Sequence, residues 1–301
     1  MKTLLSITFI LIYSVKVSSQ KFIPIWDNEK MPYSKGIEIK DSMDNELIYK
    51  VGLPGLYIFT PSKFIKHRSA VLIIPGGGYA HQAYRLSGFE IAKWFNTQGI
   101  TSFVLKYRLP QSKDNDTCYK VALSDAQKAI KYIRINSEKL GIDTDKIGVM
   151  GCSAGGHIAA CLSTIKEDWS KINDKDTVSY SPNFAILISP VISMSEYVHR
   201  SSKHNLLGDT KNKEIIDMFS CEKQVSRITP PTFIIHALND QTVSCNNSIL
   251  YFKSLEKEKI KNCCLVIYPD GGHGINISNN PDITSTWLNL LQKWLLHISV
   301  K

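Results

Sequence analysis

No Cys-x-x-Cys pair occurs among the seven cysteines of this 301-residue chain, which excludes a structural zinc site of the finger or ribbon kind. No Gly-Lys-Ser/Thr follows the glycine-rich turn at Gly76-Gly77-Gly78, and the Gly-x-Gly-x-x-Gly spacing is missing there. A phosphate-cradling loop and a dinucleotide fingerprint are excluded with them. There is no internal repeat and no low-complexity linker, and no run is long and apolar enough to span a bilayer. Acidic residues are in short supply, 27 against 36 basic ones, for a formal charge of +9. The lysines are scattered, with only modest groups such as Lys257, Lys259 and Lys261. The excess therefore reads as a solvated basic surface, with no nucleic-acid partner.

What is there begins with a leader. Lys2 precedes an apolar stretch from Leu4 to Tyr13, and Val17-Ser18-Ser19 offers small residues before Gln20. Residues 1–19 are expected to be a signal peptide and the protein to be secreted or periplasmic. Residues 20–301 are long enough for one α/β domain, expected to be catalytic. No cysteine lies near the cleavage point, so a bacterial lipid anchor is not expected. In an oxidising compartment at most one or two disulfides are expected, and their pairing is open.

Apolar runs at Ala70–Ile74 and Phe184–Ile188 have the continuous character of strands buried on both faces, and Thr101–Leu105, Thr232–Ala237 and Cys263–Tyr268 are expected to be strands as well. Shorter alternating stretches, Leu47–Val51 and Leu56–Phe59, predict antiparallel edge strands. Helical periodicity is expected over Ser87–Gln98, Lys120–Leu140, Ser248–Glu258 and Ile283–His297. Lys166–Ser181 reads as loop, and Val191–Pro231 as short helices and loops over the carboxyl ends of the strands. Asp125 lies on the margin of an apolar helical stripe and needs a partner; Arg108 is the expected one. Alternating strands and helices predict a mostly parallel sheet covered on both faces, with ligands bound at the strands' carboxyl ends.

Three of those ends carry the residue types of acyl transfer. Gly151-Cys152-Ser153-Ala154-Gly155 is a Gly-x-Ser-x-Gly turn between an apolar run and a small-residue helix. That is the nucleophile-elbow spacing, in which glycines two residues either side leave room for a sharp turn. Asp240 follows the Phe233–Ala237 run, and His273 follows the last strand within Gly271-Gly272-His273-Gly274. Serine needs a base to take its proton, imidazole is suited to that, and a carboxylate fixes the imidazole tautomer. Asp270 is a rival for the acid, but it lies close to His273 in sequence, and Asp240 is preferred. Gly77 and Gly78, with the Ala154 N–H, are expected to form an oxyanion hole. His236 is expected to be a packed core histidine and His157 to support the turn. His81, His199 and His204 could line the site. Tyr79 and the Val191–Pro231 segment are expected to contribute to substrate choice. No metal site is expected.

These segments, together with Gly99–Leu109, Asn205-Leu206-Leu207-Gly208-Asp209 and Pro230–Val243, resemble secreted bacterial α/β-hydrolases of the acetyl xylan esterase-like, BD-FAE/esterase-lipase type. The resemblance covers nearly all of the chain after the leader. It implies the α/β-hydrolase fold, a serine ester hydrolase working through an acyl-enzyme without a cofactor, and acetylated plant or algal carbohydrate as substrate. It maps the catalytic serine, aspartate and histidine onto Ser153, Asp240 and His273. Pro75 stands where related esterases often have histidine, Asn239 where an aspartate often precedes Asp240, and Ser244 where proline often follows Val243; none of these is a catalytic group. A prolyl-oligopeptidase-like serine peptidase shares the triad order but usually carries a propeller for which this chain has no room. A catalytically dead polysaccharide-binding homologue is the non-enzymatic alternative.

Overall fold

The computed structural model describes residues 21–26, 30–171, 176–278 and 280–300. The expected signal peptide lies outside the described residues. The strands are β1 (Lys21–Pro24), β2 (Ser42–Met43), β3 (Ile48–Lys50), β4 (Gly55–Phe59), β5 (Ala70–Ile74), β6 (Thr101–Lys106), β7 (Ile147–Cys152), β8 (Phe184–Ile188), β9 (Thr232–Ala237) and β10 (Cys264–Tyr268). The helices are α1 (Glu90–Thr97), α2 (Cys118–Ile135), α3 (Ser137–Leu140), α4 (Ala154–Thr164), α5 (Arg200–Leu207), α6 (Lys213–Met218), α7 (Cys221–Gln224), α8 (Asn246–Lys257) and α9 (Trp287–His297).

Eight strands form one sheet in the order β1-β4-β6-β5-β7-β8-β9-β10. β1, β4 and β6 pair antiparallel, and β6 through β10 run parallel. This is the α/β-hydrolase fold. Along β5 the side chains alternate between two cores. Leu72 and Ile74 join Ala122, Ala126 and Ile158 beneath α2 and α4. Val71 and Ile73 join Ile91, Phe95, Trp287 and Leu291 beneath α1 and α9. Two covered faces explain why the central strands read as unbroken apolar runs.

The differences from the sequence reading have local causes. Leu56–Phe59 lies inside β4, which is one strand in from the edge because Lys21–Pro24 pairs outside it. Ile48–Lys50 leaves the main sheet and pairs with Ser42–Met43. The long helix breaks at Asn136, whose side-chain amide donates to the Tyr132 carbonyl at 2.9 Å and competes with helical continuation. Before α1 the chain makes a wide turn over Arg85–Phe89, with Phe89 N–H donating to the Tyr84 carbonyl at 2.8 Å. There Ser87 Oγ accepts from the Gly76 N–H and donates to the Ala83 carbonyl, tying this helical start to the glycine loop. Asp125 meets Arg108 as expected, with a 2.7 Å ion pair in which both side chains are buried. All seven cysteines are free thiols.

Candidate active site

β7 delivers Ser153 into a turn that an L-residue adopts under strain, φ +54° and ψ −121°. The glycines permit it sterically. A Cβ on Gly155 would stand 2.1 Å from the Ile74 carbonyl oxygen, and one on Gly151 would stand 2.2 Å from that of Gly155. Helix α4 therefore starts hard against β5 and β7, and Ala154 occupies its first turn.

The structure brings Ser153, His273 and Asp240 together. Ser153 Oγ lies 2.8 Å from His273 Nε2, and His273 Nδ1 lies 2.7 Å from Asp240 Oδ2. A carboxylate only accepts, so Nδ1 carries the ring proton and Nε2 is left to accept from the serine hydroxyl. Asp240 Oδ1 accepts the N–H groups of Thr242 and Val243 at 2.8 and 2.9 Å. Burial alone would push the Asp240 carboxyl up, but hydrogen bonds from His236, His273 and the Val243 N–H outweigh it and hold the group well below the usual carboxylate range. Asp270 is engaged elsewhere, accepting from the Asn239 side-chain amide at 3.0 Å.

Gly77 and Gly78 have φ of +132° and +62°. Their N–H groups, like that of Ala154, donate to no protein acceptor among the described residues. Asn205 Nδ2 holds the Gly78 carbonyl at 2.8 Å from α5. Gly77, Gly78, Ser153 and His273 line one cavity of about 240 Å³, whose walls include Leu86, Ile91 and Ile275.

Tyr79, expected to contribute to substrate choice, does not line that cavity; it borders another one with Tyr49, Leu109 and Gln111. Its ring is buried, and its hydroxyl donates to His157 Nδ1 at 2.6 Å. The aromatic ring turns inward because His157 supplies the partner a buried phenol needs. His157 in turn reaches the Phe219 carbonyl through Nε2 at 2.8 Å, so it braces α4 against the segment beyond β8. His157, Cys161 and Cys221 are the one group among the described residues with clustered metal-ligand atoms. Both ring nitrogens of His157 are engaged in hydrogen bonds, and Cys161 Sγ stands 3.7 and 3.8 Å from them.

Residue patterns alone missed two positions. His236 Nε2 faces Asp240 Oδ2 at 3.1 Å and the Val243 carbonyl at 2.9 Å. The available signal was a polar residue inside a strand buried on both faces, which requires a partner. Asn247 holds the Ile192 and Ser193 N–H groups and the Tyr197 carbonyl. No spacing links Asn247 to the turn at Ser153; only the folded segment does. Of the three histidines that could line the site, His199 is in the wall of the cavity beside Ser153.

A sheet with a strained serine at its central turn, backed by histidine and aspartate from later strand ends, defines an α/β-hydrolase. The BD-FAE family profile matches residues 56–255. The chain belongs to that family. It is 34% identical to endo-1,4-beta-xylanase B of Butyrivibrio fibrisolvens over 248 residues, 81% of this chain and 38% of that protein. It is 33% identical to an acetylxylan esterase of Xylanibacter ruminicola over 234 residues, 76% of this chain and 45% of that protein. The chain thus spans less than half the length of these two curated relatives. Among solved structures, an acetyl ester-xyloside bifunctional hydrolase from Caldicellulosiruptor lactoaceticus superposes with a TM-score of 0.78 at 32% identity, over 95% of this chain and 99% of that one.

Proposed function

We propose that the protein is a serine carboxylic ester hydrolase that removes acetyl groups from carbohydrate, acting outside the cytoplasm. The observation that carries the reading is the unbroken relay from Asp240 through His273 to Ser153, beside three N–H groups that have no protein acceptor among the described residues. In this mechanism Ser153 Oγ attacks the ester carbonyl while His273 Nε2 takes its proton. The N–H groups of Gly77, Gly78 and Ala154 donate to the developing oxyanion. His273, held as imidazolium by Asp240, returns the proton to the leaving alcohol. Water, deprotonated by the same imidazole, then releases the acid from the acyl-enzyme. The apolar walls at Leu86, Ile91 and Ile275 suit a short acyl chain. The names of the acetylxylan esterase relative and of the acetyl ester-xyloside hydrolase that shares the fold support acetyl as the acyl group.

The test is release of acetate from acetylated xylan and from p-nitrophenyl acetate. Turnover is expected on both. The variant Ser153→Ala is expected to lose about a thousandfold or more in kcat with its melting temperature unchanged. Cleavage of a prolyl peptide with neither ester hydrolysed would move the assignment to a peptidase, and saturable polysaccharide binding without turnover would leave a binding protein.

A further inference from the structure

The relay uses one histidine of the cavity, and a second stands beside it. His199 immediately precedes α5, and its Nδ1 lies 2.8 Å from the oxygen of Ser202, a buried residue. Its Nε2 has no partner among the described residues. The ring is half-buried and lines the same cavity as Ser153 and His273. Burial and, next, the neighbouring His273 push its pKa below the ordinary histidine value, which favours the neutral ring.

The ring is also rigidly placed. The Asn247 carbonyl oxygen accepts from the Ile192 and Ser193 N–H groups at 2.9 and 3.0 Å, and its amide donates to the Tyr197 carbonyl at 3.0 Å, two residues before His199. At the far end of α5, Asn205 donates to the Gly78 carbonyl. One helix therefore ties His199 to the loop that would hold the oxyanion.

The side of the substrate it meets follows from the chemistry. The leaving oxygen must lie within reach of His273 Nε2, which gives it a proton. A group on the cavity wall beside His273 therefore faces the alcohol half of the ester. Other polar side chains there are committed or open to water. Asn276 bonds the Gly274 carbonyl and the Ser278 N–H. Ser87 bonds Gly76 and Ala83. Thr242 is exposed.

We propose that His199 Nε2 hydrogen-bonds a hydroxyl of the alcohol half, next to the ester, and so selects acetates of polyhydroxy alcohols over simple alkyl acetates. This rests on the ester-hydrolase reading. A serine hydroxyl at Nδ1 can donate or accept, which leaves Nε2 free to complement either polarity of a sugar hydroxyl.

The test compares glycerol 1-acetate with propyl acetate, two esters with the same carbon chain that differ in hydroxyls. The wild type is expected to favour the glycerol ester in kcat/KM. His199→Leu is expected to lose about ten- to a hundredfold on the glycerol ester and little on propyl acetate. His199→Gln, which keeps a terminal amide, is expected to recover part of that loss, and it serves as the informative variant if the leucine form does not fold. Equal losses on both esters, or none on either, overturn the proposal. Wild-type inertness toward both esters overturns the ester-hydrolase reading, and this inference falls with it.

Discussion

His236 shows how a buried side chain can act on a reaction it never touches. Both neighbours of its Nε2, the Asp240 carboxylate and the Val243 carbonyl, only accept, so that nitrogen carries hydrogen. Ser248 Oγ lies 2.8 Å from Nδ1 and donates to it in the neutral tautomer. Asp240 thereby receives donors from His236, His273, Thr242 and Val243. A carboxylate so well satisfied is a weaker base, and it stabilises the His273 imidazolium less than a bare one would. Removing the His236 donor should make Asp240 more basic and keep His273 protonated to higher pH. The acid limb of the kcat/KM profile of His236→Leu is therefore expected to move to higher pH, by less than the worth of one hydrogen bond to a charged group, because that bond acts on His273 only through Asp240. His236→Gln, which keeps a donor, is expected to return it. A limb that stays in place in the leucine variant while only the melting temperature falls would make His236 a packing residue. The sequence pattern showed a histidine in an apolar strand, but pairing with a residue four positions on depends on how the chain turns after β9.

Among the elements, α2 is the clearest case of a polar residue read correctly for a structural role. Asp125 is buried on it and accepts from Arg108 Nη2 at 2.7 Å, from the Arg108 backbone N–H at 2.8 Å and from Trp26 Nε1 at 2.7 Å. Arg108 also donates to the Pro32 carbonyl, so one ion pair joins α2, the end of β6 and the N-terminal segment. Asp125→Ala would leave a buried guanidinium without its counter-charge, at a cost of about 3–5 kcal/mol. A fall in melting temperature of roughly 10 °C is expected, with kcat on p-nitrophenyl acetate retained; a normal melting temperature would show that the pair contributes little. The helix and strand periods were legible because each face of the sheet buries its own side chains, as Leu72 and Val71 do on β5. Element ends were less legible. The break at Asn136 rests on a side-chain hydrogen bond, and the wide turn before α1 rests on Ser87 serving Gly76. Both are local competitions that a periodic pattern does not register.

On the scale of the whole molecule, Ser153, Asp240 and His273 were legible because parallel sheets bring the ends of distant strands together. The first strand was not, because Lys21-Phe22-Ile23-Pro24 is too short to stand out as one. Its place is fixed only by pairing with β4, where Phe22 opposes Tyr57 and Ile23 opposes Leu56. The residues that follow join the core, with Ile25 and Trp26 buried and Trp26 bonded to Asp125. The N-terminal strand is therefore part of the catalytic domain, and where the chain is cut should decide its stability. A protein beginning at Lys21 is expected to match the full chain in melting temperature and in kcat/KM on p-nitrophenyl acetate. One beginning at Lys30 loses β1, the burial of Ile25 and Trp26 and a donor to Asp125, together about 5 kcal/mol or more. It also leaves β4 as an open edge carrying Leu56, Tyr57 and Ile58, a template for association between chains. Thermal unfolding and light scattering on the two proteins check this. The shorter one is expected to melt far lower and to aggregate, and equal melting curves would show that the sheet is complete without β1.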